Sequence, residues 1–440
     1  MALERGPIAR VVEIDRDEFI LKAEQQKEHG IFGLDDLTEG KAREFKLNVL
    51  CEEIQKYDRG WEGNSRKCPK CGKQQIYKGD APRKLRVSGG TIEVDRAYYV
   101  CKECKHSSFP LDETLNLAPE IEQGRLREKI SILGALISYH QIPEVSRSLL
   151  GFELAPASAR ISLLREAELV EEECPKKVLT PTKEDTLYVE IDGFMCPTRE
   201  PRKNGSDQGF REAKIIQAFL GKDRAETSEE RIEILDQLIE AKICDIKQFR
   251  PIVKDLLQRA DLGEAKQAVV LADGAKWIWN LADTFVRGAT QILDYTHAKQ
   301  HLFNFAKILY GEGKPEVFAL VRELKGLLLD DQIETVITKL ESLAGINPEL
   351  KKEANYFRNN KKRMRYKTFK DQGLAIGSGA VESAGKRLAQ GRVKGAGMRW
   401  NVKDLNPVLM FRAALFERRL LSHFRHQRTI ETEYFQKLAA

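Results

Sequence analysis

The sequence predicts a multidomain α/β protein, and three observations carry that expectation. Two CxxC pairs, Cys68 with Cys71 and Cys101 with Cys104, bracket residues that alternate like paired strands. Beyond a proline-flanked linker at 175–181, short β-branched runs alternate with helical patterns, as in a mixed sheet flanked by helices. From about 298 to 370 the pattern is helix after helix. A chain of 440 residues can bury several cores without staples. Hydrophobic residues make up 42% and charged residues 32%, and no apolar run approaches the roughly 20 residues that span a bilayer, so no membrane segment is expected. The opening MALERGPIARVVEIDRDEF is charged throughout and unlike a secretory signal, which makes a cytoplasmic site the expectation.

Residues 1–62 read as a helical region, with Phe45, Leu47, Val49 and Leu50 as apolar positions and no legible chemistry. Residues 63–115 read as a zinc ribbon. Each CxxC pair can present two thiolates from a tight knuckle, and two knuckles on neighbouring hairpins close a tetrahedral structural site. RKLRV and TIEVDRAYYV supply the strands, and Ser88, Gly89 and Gly90 the turn. A pair of disulfides is the competing reading, disfavoured in a leaderless chain. Cys51, Cys174, Cys196 and Cys244 stand alone as ordinary thiols.

Residues 120–175 carry helix-turn-helix grammar. Leu126, Ile130, Leu133 and Ile137 mark a helix over about 124–140; Pro143 opens a short helix, Gly151 ends it, and Pro156 opens another. The last helix would turn Ser158, Arg160 and Arg165 toward a DNA groove and Ile161, Leu164 and Leu169 inward. Three helices packed together without DNA are the alternative.

The core is expected over 183–297, with its last part at 373–440 together with basic C-terminal helices, and an all-helical insertion at 298–372 between them. TLYVEIDGFM and KIIQAFL read as strands, a further strand is possible near 224–236, and FRPIVKDLLQRA reads as a helix. QAVVLAD and TQILDYTH read as strands separated by the helix AKWIWNLADTF. Asp192 and Asp273 each end a strand and each precede a glycine, and Glu382 follows GSG near a helix start. Acidic residues at the ends of central strands converge, and carboxylates that close stay ionised together only beside cations. Two magnesium or manganese ions roughly 4 Å apart would resolve the conflict and suit phosphoryl transfer.

Three blocks, YVEIDGF, VVLADGAKWIWNLADTF with ILDYTHAKQHL, and GLAIGSGAVESAGKRLAQGRVKGAGMRW, resemble the DDE transposases of the Mutator-like group, and within it the bacterial ISKra-type insertion-sequence transposases. The resemblance covers roughly residues 65–415. It implies a ribonuclease H-like catalytic core interrupted by the helical insertion, preceded by the zinc ribbon and the helix-turn-helix region. It also implies Asp192, Asp273 and Glu382 as metal ligands and catalytic residues, with His297, in the DxxH element from Asp294, as an organiser of the site or of flanking DNA. The implied partners are double-stranded DNA, as transposon ends and target, and further copies of the chain in a homodimer or larger assembly. The implied setting is the nucleoid.

The formal charge of +6 is a mild hint of nucleic acid, and its distribution says more. Lys361, Lys362, Arg363 and Arg365 lie in a basic run interleaved with aromatics, and Lys386, Arg387, Arg392, Lys394 and Arg399 follow Glu382, where cations could hold phosphates. Simple solvated charge is the plainer reading of all of them. Trp400 could stack on an unpaired base or simply pack in the core. His297 and His301 have the spacing of zinc ligands but lack the glutamate of HExxH, and GEGKPE is not a phosphate-cradling loop, so neither a zinc protease nor an ATPase is expected. Two readings outside the active transposase stay open: a catalytically silent, domesticated descendant that only binds DNA, and a nuclease that cuts without joining.

Overall fold

In the computed structural model, residues 9–13, 31–200, 209–228, 231–377 and 379–428 are described. The chain forms two compact units, one from the described parts of Met1–Leu169 and Leu421–Ala440, the other from Val170–Leu420.

The first unit is built on an antiparallel sheet. Strand β1 is Ala9–Glu13, helix α1 Ile31–Gln55, and strands β2 to β5 are Ser65–Lys67, Gln74–Val87, Gly90–Cys101 and Ser107–Ser108. Their order is β1-β4-β3-β2, with β5 on β4. The β3–β4 hairpin runs from Gln75 opposite Cys101 down to Val87 opposite Gly90. Gly89 takes φ 122° at its tip, a conformation that a side chain would strain. Leu47, Cys51 and Ile54 of α1 seal one face against Leu85, Ile92 and Val94. The sequence reading had 1–62 all helical; β1, pairing with β4, corrects that.

Helices α2 (Pro110–Thr114), α3 (Gly124–Leu136), α4 (Ile142–Leu150) and α5 (Pro156–Glu173) follow. Gly151 ends α4 at φ 75° with its N–H on the Arg147 carbonyl, as an αL cap does. Leu126, Ile130, Ile142, Phe152, Leu154 and Ala159 form the small core. The inward face of α5 differs from expectation by one position. Ile161 is 45% exposed, while Leu163, Ala167 and Val170 are buried with Glu166, whose carboxylate is held by Arg127. A buried carboxylate tolerated through its arginine shifts the stripe that apolar spacing alone would choose.

The second unit centres on a mixed five-stranded sheet. Its strands are β6 (Thr186–Thr198), β7 (Gly209–Leu220), β10 (Leu238–Ile243), β11 (Gln267–Ala272) and β12 (Thr290–Leu293), with a separate two-stranded ribbon of β8 (Arg224–Ser228) and β9 (Arg231–Ile234). The order is β10-β7-β6-β11-β12. The pairs β10–β7 and β7–β6 are antiparallel, whereas β6–β11 and β11–β12 are parallel. The further strand expected near 224–236 is the β8–β9 ribbon, and the third strand of the five-stranded sheet lies beyond it at 238–243. LIEAKI is short and mixed in polarity because it is the edge strand. Its outer N–H groups are covered by later side chains: Ile239 N–H donates to Glu417 Oε1 at 2.8 Å, and Ile243 N–H to Asn406 Oδ1 at 2.8 Å.

Helices α6 (Ile246–Arg259), opened by a reciprocal Asp245–Gln248 capping box, and α7 (Lys276–Phe285) precede and follow β11. The helical run is α8 (Tyr295–Tyr310), α9 (Pro315–Leu329), α10 (Ile333–Ala344), α11 (Pro348–Asn360) and α12 (Tyr366–Asp371). Its buried residues, among them Phe305, Leu324, Leu340 and Phe357, join the same core as Val189, Ile191 and Val270 of the sheet. Helix α13 (Gly379–Gly385), a π-helical turn at Lys386–Gln390 and α14 (Val402–Phe416) bring Ala384, Leu388 and Ala413 against Ile215 and Ile239. No helix among the described residues is long and apolar enough to cross a membrane.

Candidate functional site

The strongest metal geometry lies in the first unit. Cys68, Cys71, Cys101 and Cys104 bring their sulfur atoms within 4.8 Å of one another. Cys68 and Cys104 approach to 3.7 Å, and Cys71 and Cys101 to 3.6 Å. The edge of a tetrahedron with Zn–S bonds of 2.3 Å is about 3.8 Å, so the four thiols fit a structural zinc. The backbone is shaped to match. After each second cysteine the chain turns through positive φ, 73° at Gly72 and 57° at Lys105, which folds each CxxC into a knuckle. No disulfide joins them.

The second constellation sits at one end of the mixed sheet. Ile191, Ala272 and Leu293 lie side by side on the parallel strands β6, β11 and β12. The next residue along each is an aspartate: Asp273 and Asp294 just past β11 and β12, and Asp192 inside β6, which runs on to Thr198 paired with β7, so the expectation that Asp192 ends its strand is corrected. Each uses an Oδ1 to accept a nearby backbone N–H, from Gly193 at 2.7 Å, Ala275 at 2.9 Å and Thr296 at 2.8 Å. Asp294 is buried and also accepts from His297 Nδ1 at 2.7 Å. That hydrogen bond holds the imidazole pKa above its ordinary value against the opposing effect of burial, and the charges of Asp294, Asp273 and Asp192 add to it. All three carboxylates therefore act on one imidazole.

Glu382 is carried by α13, where Gly385 packs beside Phe194 of β6, but its side chain lies outside the described residues. The stretch before α13 also reaches the aspartates, since Tyr295 N–H donates to the Ile376 carbonyl at 2.9 Å. Oxygen donors of this kind suit magnesium or manganese. Among the described residues, the four cysteines are the group of three or more His, Cys, Asp or Glu side chains whose ligand atoms converge closely; the aspartates do not form another.

The two histidines of HAKQH have separate carboxylate partners: His297 bonds Asp294, and His301 Nδ1 meets Glu353 Oε2 at 2.5 Å. They do not form a shared metal pair. Asp294 is the site residue that sequence reasoning undervalued. Its signal was its position, directly after a buried strand as Asp273 is.

The basic candidates divide by burial. Lys362, Arg365, Lys386, Lys394 and Arg399 are exposed. Arg160 is half-buried, Arg165 pairs with Glu168, and Lys361 with Glu334. Arg363 lies over Trp279 at 4.3 Å and donates to Gln291, and half-buried Arg387 stacks on Phe416. For Arg392 and Trp400 the DNA-contact expectation is corrected. Arg392 is 1% exposed and sits over the Trp400 ring at 4.6 Å, while Trp400 is 7% exposed and its Nε1 donates to the Val393 carbonyl. A guanidinium desolvated on an indole is packing, not a surface for a strand of DNA.

A mixed α/β architecture with a four-cysteine cluster is thus the class of the protein. A family model matches residues 41–428, and the chain belongs to that family, the uncharacterised protein family UPF0236. No curated protein matches it. Among solved structures, a crystal structure of NurA is 10% identical over 68% of this chain and 63% of its own, with a TM-score of 0.11. A crystal structure of NurA bound to dAMP and manganese is 12% identical over 64% of each chain, again with a TM-score of 0.11. The chain thus spans less than two thirds of either NurA chain, and superposition this weak carries no argument.

Proposed function

We propose that this protein is a DDE-type transposase whose second unit is a ribonuclease H-like catalytic core, cutting transposon-end DNA and joining the freed 3′ hydroxyl to a target. The observation that carries the reading is the row of aspartates side by side across three adjacent parallel strands, Asp192 within β6 and Asp273 and Asp294 just past the ends of β11 and β12, in a sheet whose order is third-second-first-fourth-fifth. Asp192 on the first strand and Asp273 on the fourth are neighbours, as two ligands of one cation pair must be. The helix bearing Glu382 packs on the first strand, which supports it as the third ligand. The four cysteines support a zinc ribbon, and exposed Lys362, Arg365, Lys386, Lys394 and Arg399 support contact with phosphates.

Asp192, Asp273 and Glu382 would hold the divalent ions, which supply activation of water or a 3′ hydroxyl and stabilisation of the leaving oxygen. His297 keeps its orientation through Asp294 and remains protonated to higher pH than a free histidine, so it can face a phosphate oxygen as a cationic donor. Both chemical steps are phosphodiester exchanges and need no covalent enzyme intermediate.

The test is cleavage and strand transfer of labelled transposon-end DNA with magnesium or manganese, comparing wild type with Asp192→Asn, Asp273→Asn and Glu382→Gln. The expected result is cutting and joining by wild type alone, with DNA binding retained by all three variants. Binding without cutting by wild type would instead support a silent descendant, and cutting without joining a nuclease.

A further inference from the structure

The helical run bears on the aspartates through Tyr356 of α11. A Cβ built on Gly274, the residue after Asp273, would stand 2.2 Å from Tyr356 Cε2 and 3.0 Å from its hydroxyl oxygen. Gly274 has no positive φ, so its backbone would accept any residue. The tyrosine ring is what requires glycine there. The ring in turn is clamped from behind. His301 stacks on it with centroids 3.6 Å apart and planes 22° from parallel, and Glu353, one turn before Tyr356 on α11, holds the imidazole. Phe357 meets the ring edge-on at 5.7 Å. The Tyr356 hydroxyl is buried, makes no well-formed hydrogen bond and faces the Gly274 backbone, so packing chiefly fixes this side chain.

The Asp273–Gly274–Ala275 turn is also what orients the Asp273 carboxylate, because its Oδ1 accepts the Ala275 N–H. We propose that Tyr356, braced by His301 and Glu353, is a positioning residue for Asp273: its ring presses the Gly274 backbone into the one turn that presents the carboxylate to a cation. The inference rests on the metal-binding reading of Asp273 and assigns the second histidine of HAKQH a role that the proposed chemistry leaves unused. A bulky contact that holds a ligand's backbone acts like the outer partners of metal ligands, whose loss lowers affinity on the order of tenfold or more.

The experiment uses the full-length chain and four variants, Tyr356→Leu, Tyr356→Phe, Gly274→Ala and Glu353→Gln. Manganese binding is measured by titration calorimetry without DNA, the manganese midpoint is measured for cleavage of labelled end DNA, and DNA affinity is measured in EDTA. Tyr356→Leu and Gly274→Ala, which disturb the contact from opposite sides, should weaken manganese binding and raise the midpoint on the order of tenfold. DNA affinity in EDTA should be unchanged, and Tyr356→Phe, which keeps the ring, should keep the wild-type midpoint. Should Tyr356→Leu fail to fold, Gly274→Ala and Glu353→Gln decide. If wild type binds manganese and cuts while the variants lose thermal stability but keep its midpoint, the positioning role is overturned and the transposase reading stands. If wild type neither binds manganese nor cuts, both fall together.

Discussion

Replacing Asp294 with asparagine isolates the charge of the buried carboxylate from its geometry. Asp294 does two things: it caps α8 by accepting the Thr296 N–H at 2.8 Å, and it binds His297 Nδ1 at 2.7 Å. Asparagine caps a helix about as well as aspartate, so the first interaction survives. The second loses its ionic character. A hydrogen bond to a charged group is worth about 1.5–3 kcal/mol, and the lower end applies because the His297 side chain keeps 34% of its surface in water. The sign with pH follows from the raised histidine pKa. Stability from the protonated pair is complete below the unfolded histidine's ordinary 6.5 and is lost as pH rises through the higher folded value. Asp294→Asn should therefore cost about 1.5 kcal/mol at pH 6 and distinctly less at pH 9. Trp277, Trp279 and Trp400 belong to the second unit and Trp61 to the first, so urea unfolding followed by fluorescence in a Trp61→Phe background reads the right transition, and NMR titration of His297 reads the pKa directly. An equal cost at both pH values, or a His297 titration unmoved by the substitution, would refute the reasoning.

Metal analysis of purified protein should find one zinc per chain through the four cysteines, and Cys68→Ser or Cys101→Ser should abolish it and lower the unfolding temperature of the first unit. Leu47, fully buried against the β-sheet of that unit, should cost about 3–5 kcal/mol when cut to alanine, read by urea denaturation. Arg412 donates to the Leu388 and Arg387 carbonyls from a buried position, and burial followed by nearby Arg392 lowers its pKa to about 10. Arg412→Met strands both carbonyls and should destabilise the second unit by about 2 kcal/mol or more in the same assay. Lys362→Ala and Arg365→Ala should each weaken DNA binding and flatten its salt dependence by roughly one unit of slope, whereas the same effect from Arg392→Ala without loss of folding would contradict its burial.

Much of the fold was legible because it follows local rules. The hairpin announced itself through alternation on either side of Ser88–Gly89, the α4 end through Gly151, and the buried strands through VVLAD and YVEID. The two leading aspartates were legible for the same reason, each closing an apolar run before glycine. What escaped depends on distant partners. LIEAKI is a strand because β7 and α14 enclose it, not because of its own pattern. Ile161 points outward because Arg127, far back in sequence, makes room for Glu166 inside. Arg392 reads as a surface cation until Trp400 is seen beneath it. Tyr356 carried no sign at all of its contact with Gly274, since nothing in either segment's pattern requires the other.

The covering of β10 has a consequence for how the protein is made. Its outer backbone groups are satisfied by Asn406, 163 residues beyond the pairing it completes, and by Glu417, 178 residues beyond. At typical synthesis rates the sheet edge therefore waits roughly ten to thirty seconds for the chain that closes it. During that time the strand is a template open to any other extended segment, including the same edge on a neighbouring nascent chain. Chains that stop before α14 would keep that edge open permanently, and their fate is self-association rather than a smaller folded protein.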